Sequence, residues 1–196
     1  YRNDLMELIQ YEANTDQVHQ TPVLITPPWI NKFYILDLNE KKSFVRNLVN
    51  NGFTVFMISW KNPTTELRNT SLDDYMLMGP VEGMRVVQEI TGTENIHAVG
   101  YCIGGSLLAT TMGWLNGPQK KVKNLFTSFT LLTTLVDFSK PGDLGLFVDE
   151  DSMKFVEKMM AEKGYLDGKQ MGTTYRIMKA DGLIWNYVVN NYLYGK

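Results

Sequence analysis

Apolar residues fall into short continuous runs, and stretches with a helical period lie between them. Pro22–Thr26, Thr54–Trp60, Ile96–Val99 and Leu125–Leu135 are rich in Val, Ile, Leu, Phe or Thr, and proline, glycine or asparagine stands at several of their margins. Such runs predict strands, with continuous apolar character pointing to burial in a parallel sheet. Phe44–Val49 repeats apolar positions three and four apart and is closed by Gly52, so it predicts a helix. A second helix is predicted from Ser71, its cap, to about Ile90, with Asp73 and Asp74 at its positive end. Capping explains these two adjacent carboxylates better than acid–base chemistry does. A third helix runs from Leu107 to about Trp114, where Asn116-Gly117-Pro118 breaks it. Asp4–Ile9 mixes polar and apolar positions and fits strand or helix. The recurring strand–helix order predicts an α/β fold, a mostly parallel sheet with helices on both faces.

From Asp137 the pattern changes. Pro141–Gly145 is a turn-rich break, Asp149–Lys163 has a helical pattern, and Gly164, Gly168 and Gly172 punctuate a looser stretch after it. Trp185–Leu193 is aromatic and apolar. The predicted division is residues 1–136 and residues 137–196.

The chemistry centres on Gly100-Tyr101-Cys102-Ile103-Gly104-Gly105, between a predicted strand and a predicted helix. This is the Gly-x-nucleophile-x-Gly elbow of α/β-hydrolases, with cysteine where serine usually stands. The glycines have a steric role, because side chains two positions either side of the nucleophile would collide with strand and helix. A lone cysteine is by default a buried apolar residue, but the glycines around Cys102 favour a nucleophile. In this fold the residue after the nucleophile, Ile103, supplies one oxyanion-hole N–H, and the loop after an earlier strand supplies the other. That loop is Pro27-Pro28-Trp29-Ile30, whose first free N–H groups belong to Trp29 and Ile30. A rigid turn with an aromatic lid explains the same stretch equally well. Asp37, further along, is a candidate for supporting the site. His19 lies in a polar run and reads as a surface residue. His97 is five residues before Cys102 and reads as a core or sheet-face residue.

Composition narrows the partners. The 196 residues carry a net charge of −2, which gives no reason to expect nucleic acid or an anionic membrane surface. One cysteine excludes an internal disulfide and fits a reducing compartment. Two histidines and one thiol make a dedicated metal site unexpected, and no cofactor is called for. The apolar runs are too short for a transmembrane segment. The small basic connector Lys120–Lys123 reads as a solvated loop.

Several stretches together resemble the polyhydroxyalkanoate synthases. Pro27–Leu38 is similar to that family's Pro-Pro-x-Ile-Asn-Lys-Tyr-Tyr-Ile-Leu-Asp-Leu, and Ser59-Trp60-Lys61-Asn62-Pro63 to its Ser-Trp-Arg-Asn-Pro. Gly100–Gly105 matches its cysteine lipase-like box. Leu131–Phe138, Phe147–Glu150 and Trp185–Val189 extend the likeness, which runs from about Thr21 to the end and is nearest the short-chain forms. The resemblance implies an α/β-hydrolase fold and a cytoplasmic homodimer, acting at the surface of polyester granules. It implies polymerisation of 3-hydroxyacyl-CoA with loss of CoA, through an acyl thioester on Cys102. It implies that residues from about Asp137 form part of a cap. The family's catalytic Asp and His lie beyond the Trp-Asn-Tyr-Val-Val segment and have no counterpart in these 196 residues. The chain is therefore expected to be part of a longer enzyme, inactive alone, with an unpaired apolar sheet edge. Two other readings stay open: a cysteine-dependent esterase, thioesterase or polyester depolymerase of the same fold, and a non-catalytic partner fragment.

Overall fold

A computed structural model describes residues 1–30, 32–118, 122–142, 145, 150–168, 185 and 188–195. The chain divides into two compact units, one of residues 1–62 with 70–136, the other of residues 63–69 with 137–196.

The first unit is built on a five-stranded sheet. Its strands are β1 (Met6–Gln10), β2 (Val23–Thr26), β5 (Val55–Trp60), β6 (Ile96–Tyr101) and β7 (Phe126–Leu132), in the spatial order β1-β5-β2-β6-β7. β5, β2, β6 and β7 are mutually parallel, whereas β1 pairs antiparallel with β5. The Asp4–Ile9 ambiguity is thus resolved as a strand. Its period is two: Met6 and Leu8 are buried and Glu7 is exposed.

The same alternation in the central strands gives two cores. Val23, Ile25, Val55 and Met57 face one side, where Val45 and Val49 of α1 (Phe44–Asn50) cover them. Leu24, Phe56, Ile58, Ile96 and Ala98 face the other, against Met84 and Val87 of α3 (Glu82–Thr91) and Leu107 and Leu108 of α4 (Ile103–Leu115). Helices cover both faces, so the central strands have no polar side to show in sequence.

Three local features depart from the sequence reading. The helix from Ser71 is not uniform: α2 (Leu72–Met76) passes through a π-type segment, Leu77–Val81, before α3. Pro80 lies inside that segment and has no N–H to donate, which favours a change of pitch there. Gly79, in the same turn, leaves room for the Trp60 ring, which any Cβ would strike. Between β2 and α1 the chain forms a 3-10 turn, Phe33–Leu36, and a hairpin of β3 (Asp37–Asn39) and β4 (Lys42–Ser43). β7, at one margin of the sheet, is less apolar than expected: Thr127, Ser128 and Thr130 are exposed beside Phe129.

The second unit contains a 3-10 turn, Thr65–Leu67, and α5 (Glu150–Lys163). Thr65 Oγ1 donates to the Lys163 carbonyl at 3.1 Å. Gly164 ends that helix at φ 84°, against the Arg68 side chain. Phe147–Asp149, most of the stretch with Gly172, and Lys120 and Lys121 of the basic connector lie outside the described residues. Among the described residues, no helix is long and apolar enough to cross a membrane.

Candidate active site

The strand order singles out one place before any side chain is considered. β2 connects through α1 to β5 on one side, whereas β6 connects through α4 to β7 on the other. β2 and β6 are neighbours, so the order reverses between them. In open α/β sheets the crevice beyond the carboxyl ends of the strands at such a reversal is where ligands bind. The Pro27–Ile30 loop leaves β2 at that point, and Cys102 follows β6.

Cys102 precedes the first turn of α4 at φ 55° and ψ −129°. These are the angles of the first central residue of a type II′ turn, a position that glycine favours. The crowding around the thiol residue accounts for the glycines. A Cβ on Gly104 would stand 2.5 Å from the Thr26 and Pro27 carbonyl oxygens, and one on Gly100 would stand 2.5 Å from the Gly105 Cα. Gly105 packs against the Thr134 side chain so closely that a Cβ there would overlap it. The elbow therefore presses directly on the carboxyl end of β2.

The end of β7 clamps the elbow from the other side. The Cys102 N–H donates to the Leu132 carbonyl at 2.9 Å. Thr134 Oγ1 lies 3.1 Å from the Leu132 oxygen and 3.3 Å from the Cys102 oxygen, placed to donate to either. Ser106 Oγ donates to the Leu135 carbonyl at 2.7 Å. These bonds hold a left-handed residue that would otherwise relax. The Cys102 side chain stays partly exposed. Ile103 is the first helical residue, so its N–H has no acceptor within the helix. The helix dipole adds partial positive charge at the same place.

The β2 loop is fixed from β5. Trp60 Nε1 donates to the Pro27 carbonyl at 2.8 Å, a buried bond between adjacent strand ends. Trp29 stacks with Trp60 and Tyr75, with ring centroids 5.6 and 5.3 Å away. The aromatic lid and the turn are both real features, and they place the Trp29 and Ile30 backbone at the reversal point. Two buried polar atoms find no partner among the described residues, Thr26 Oγ1 and Trp29 Nε1, and both belong to this strand end. Backbone strain collects along the same edge. Among the described residues, the non-glycine residues with positive φ are Lys32, Cys102 and Thr133, which follow β2, β6 and β7 respectively. Each such residue costs on the order of 1–3 kcal/mol, and such strain clusters at functional sites.

The other sequence candidates are placed elsewhere in local networks. Asp37 accepts from Ser43 Oγ at 2.6 Å and lines a depression of about 330 Å³ with Tyr11, Glu12 and Arg46. Burial, then the charge and hydrogen bonding of Asp37, push the Tyr11 hydroxyl up to about 12. His97 is partly buried in β6, its Nδ1 2.7 Å from Ser128 Oγ. Five residues of extended chain, on the order of 15 Å, separate it from Cys102. His19 is exposed, stacked on Phe53, with Nε2 3.1 Å from the Asn51 carbonyl oxygen. Neither histidine bonds to the thiol. Asp74 completes a capping box with Ser71, as the capping reading of that helix start requires. Among the described residues no group of three His, Cys, Asp or Glu side chains could hold a metal.

The sequence reading missed Trp60, Thr134 and the Lys32–Asn62 contact. Trp60 ends a strand that the apolar pattern predicts, so its reach to the neighbouring loop was open to inference. Thr134 gave no signal, because its role depends on the space that Gly105 leaves.

Comparisons with known proteins agree with the family resemblance of the sequence. The family model described as the N-terminus of poly-beta-hydroxybutyrate polymerase (PhaC) matches residues 1–48. Over its full length the chain is 47% identical to a poly(3-hydroxyalkanoate) polymerase of Methylorubrum extorquens. It is 46% identical to the poly(3-hydroxyalkanoate) polymerase subunit PhaC of Rhizobium etli and 38% identical to that of Cupriavidus necator. Superposition on a putative hydrolase from Agrobacterium vitis S4 gives a TM-score of 0.48 at 14% identity, over 84% of this chain and 64% of that one. The alignments cover 32%, 30% and 33% of the three polymerases, so the chain spans about a third of their length. Along its whole length this chain, with its mostly parallel sheet covered by helices on both faces, is thus similar to about a third of the length of these poly(3-hydroxyalkanoate) polymerases.

Proposed function

We propose that the chain carries the nucleophile and the oxyanion pocket of an acyltransferase that polymerises 3-hydroxyacyl-CoA, with 3-hydroxybutyryl-CoA as a substrate. The thiolate of Cys102 attacks the thioester carbonyl, and the N–H of Ile103 with that of Trp29 or Ile30 receives the oxyanion. Collapse of the tetrahedral intermediate expels CoA as a thiol and leaves a hydroxyacyl thioester on Cys102. A hydroxyl group then attacks that thioester, forms the ester bond and returns the thiol. Exchange between thioesters conserves acyl-transfer potential, so the later ester formation runs downhill. A thiol also needs less activation than a serine hydroxyl.

One observation supports this reading most. The left-handed cysteine, the polar atoms of Thr26 and Trp29 that find no partner among the described residues, and the strained loop residues all gather at the carboxyl edge where the strand order reverses. The general base and acid are assigned outside these 196 residues, so the chain by itself has little or no polymerase activity. In the same reading residues 137–196 contribute to a cap, and the complete enzyme is a cytoplasmic homodimer at the polyester surface.

The test supplies 3-hydroxybutyryl-CoA to the intact protein that carries this chain. Insoluble polyester with stoichiometric CoA release supports the reading. Free hydroxy acid as the sole product contradicts it and makes the protein a thioesterase.

A further inference from the structure

Lys32 is the least economical residue of the β2 loop. Its backbone sits at φ 61° and ψ 165°, a region populated almost only by glycine. Burial lowers its ammonium pKa from the usual lysine value. Its Nζ donates to Asn62 Oδ1, a neutral acceptor just past the end of β5. Among the described residues no carboxylate pairs with it. A glycine here would relieve the backbone, and a carboxylate partner would offset the desolvation, yet among the described residues neither is present. Asn62 in turn lines a cleft of about 520 Å³ of mixed charge, with Arg2, Asp4, Glu7 and Lys61, in which Arg2 is paired with Glu7.

An ammonium held this way has spare donors and unneutralised charge, and the chemistry that completes it is an anion. Its place in the sheet says which part of a ligand that anion belongs to. Lys32 and Asn62 meet on the β5 side of β2, whereas Cys102 follows β6 on the other side of β2. The two positions are separated by two strand spacings, about 10 Å across the sheet. A ligand reaching both is elongated, with its reacting carbonyl at one end and its anion at the other. Resting on the acyl-transfer reading above, we infer that Lys32, steered by Asn62, binds a phosphate group of the CoA portion of the substrate, remote from the thioester. Lys32 is a binding residue that sets preference for CoA over phosphate-free thioesters.

The experiment compares hydroxybutyryl-CoA with hydroxybutyryl-pantetheine, which lacks phosphate, in the intact enzyme. Lys32→Gln is expected to lower the preference for the CoA thioester about tenfold, mainly through KM, the scale of one lost charge-assisted bond. Lys32→Arg is expected to restore most of that preference. An equal effect on both thioesters would overturn the proposal and make Lys32 a brace of the loop, as would no effect on either. Calorimetric binding of desulfo-CoA to the unaltered protein and to Lys32→Gln separates this site from the catalytic reading. About tenfold weaker binding by the variant supports the phosphate site even if no polymer forms, and equal binding by both overturns it.

Discussion

Two turns meet where β2 and β6 lie side by side, and each holds a non-glycine residue at positive φ by a different device. The elbow holds Cys102 mainly by exclusion, a crowding of Gly104 against the end of β2, Gly105 against Thr134 and Gly100 against Gly105, supported by the bonds to the end of β7. The β2 loop holds Lys32 by attachment, with Trp60 bonded to the Pro27 carbonyl and Asn62 bonded to the lysine itself. Exclusion writes itself into sequence as closely spaced glycines, but attachment leaves only a tryptophan and an asparagine thirty residues away. A turn built by crowding keeps its shape through packing, whereas a turn built by attachment can be released one bond at a time.

That contrast can be broken most severely at the thiol. Cys102→Ala keeps a Cβ on the strained backbone and removes the proposed nucleophile. Polymer formation by the intact enzyme should fall at least ~1000-fold while the unfolding midpoint hardly moves. A variant that retained substantial activity would end the nucleophile assignment.

Next in size is the crowding itself. Gly104→Ala places a methyl 2.5 Å from the Thr26 and Pro27 carbonyl oxygens, so the end of β2 and the first turn of α4 cannot both stay where they are. A stability loss of about 1–3 kcal/mol in denaturant unfolding, accompanied by loss of acyl transfer, is expected. If the protein accepted alanine there without either effect, the elbow would not be held by exclusion.

The attached turn should respond to smaller changes. Trp60→Phe keeps an aromatic ring beside Trp29 and Tyr75 but leaves the buried Pro27 carbonyl without its donor, at a cost of about 1–3 kcal/mol. Acyl transfer should weaken as the Trp29 and Ile30 N–H groups lose their fixed positions. At the elbow, by comparison, Thr134→Val, with its hydroxyl removed from the Leu132 and Cys102 carbonyls, should cost about 1 kcal/mol.

The smallest effect tests whether the carboxyl edge is special. Ser71→Ala removes the cap of α2 and should cost about 1 kcal/mol without changing acyl transfer. Hydrogen bonds from the Ser71 backbone and side chain hold the Asp74 carboxyl below its usual range. A depressed folded value means that this contribution is present above the ordinary carboxylate range and is lost as pH falls through the folded value. The variant should therefore show a shallower acid limb in its stability profile, read from unfolding midpoints at several pH values.

Much of the fold was legible because burial on both faces leaves continuous apolar runs, and β2, β5 and β6 emerged nearly at their observed bounds. Legibility failed where the cause was not local. The π-type segment sets Gly79 under the ring of Trp60, a contact between residues far apart in sequence, and β1 joins the sheet at the edge that β5 offers. At the site, the elbow and the Pro27–Ile30 loop were visible from spacing and proline chemistry. Their meeting was not, because it rests on β2 and β6 being neighbours although β5 comes between them in sequence. Asp37 was singled out by its stretch alone, and the structure gives it to Ser43 and Tyr11.

The most direct test of the central claim is mass spectrometry of the intact enzyme, quenched in acid during turnover of 3-hydroxybutyryl-CoA and digested. The account predicts a hydroxyacyl adduct on the peptide containing Cys102, removed by neutral hydroxylamine as a thioester should be. An unmodified Cys102 peptide, with the acyl group stably held on another residue, would contradict it.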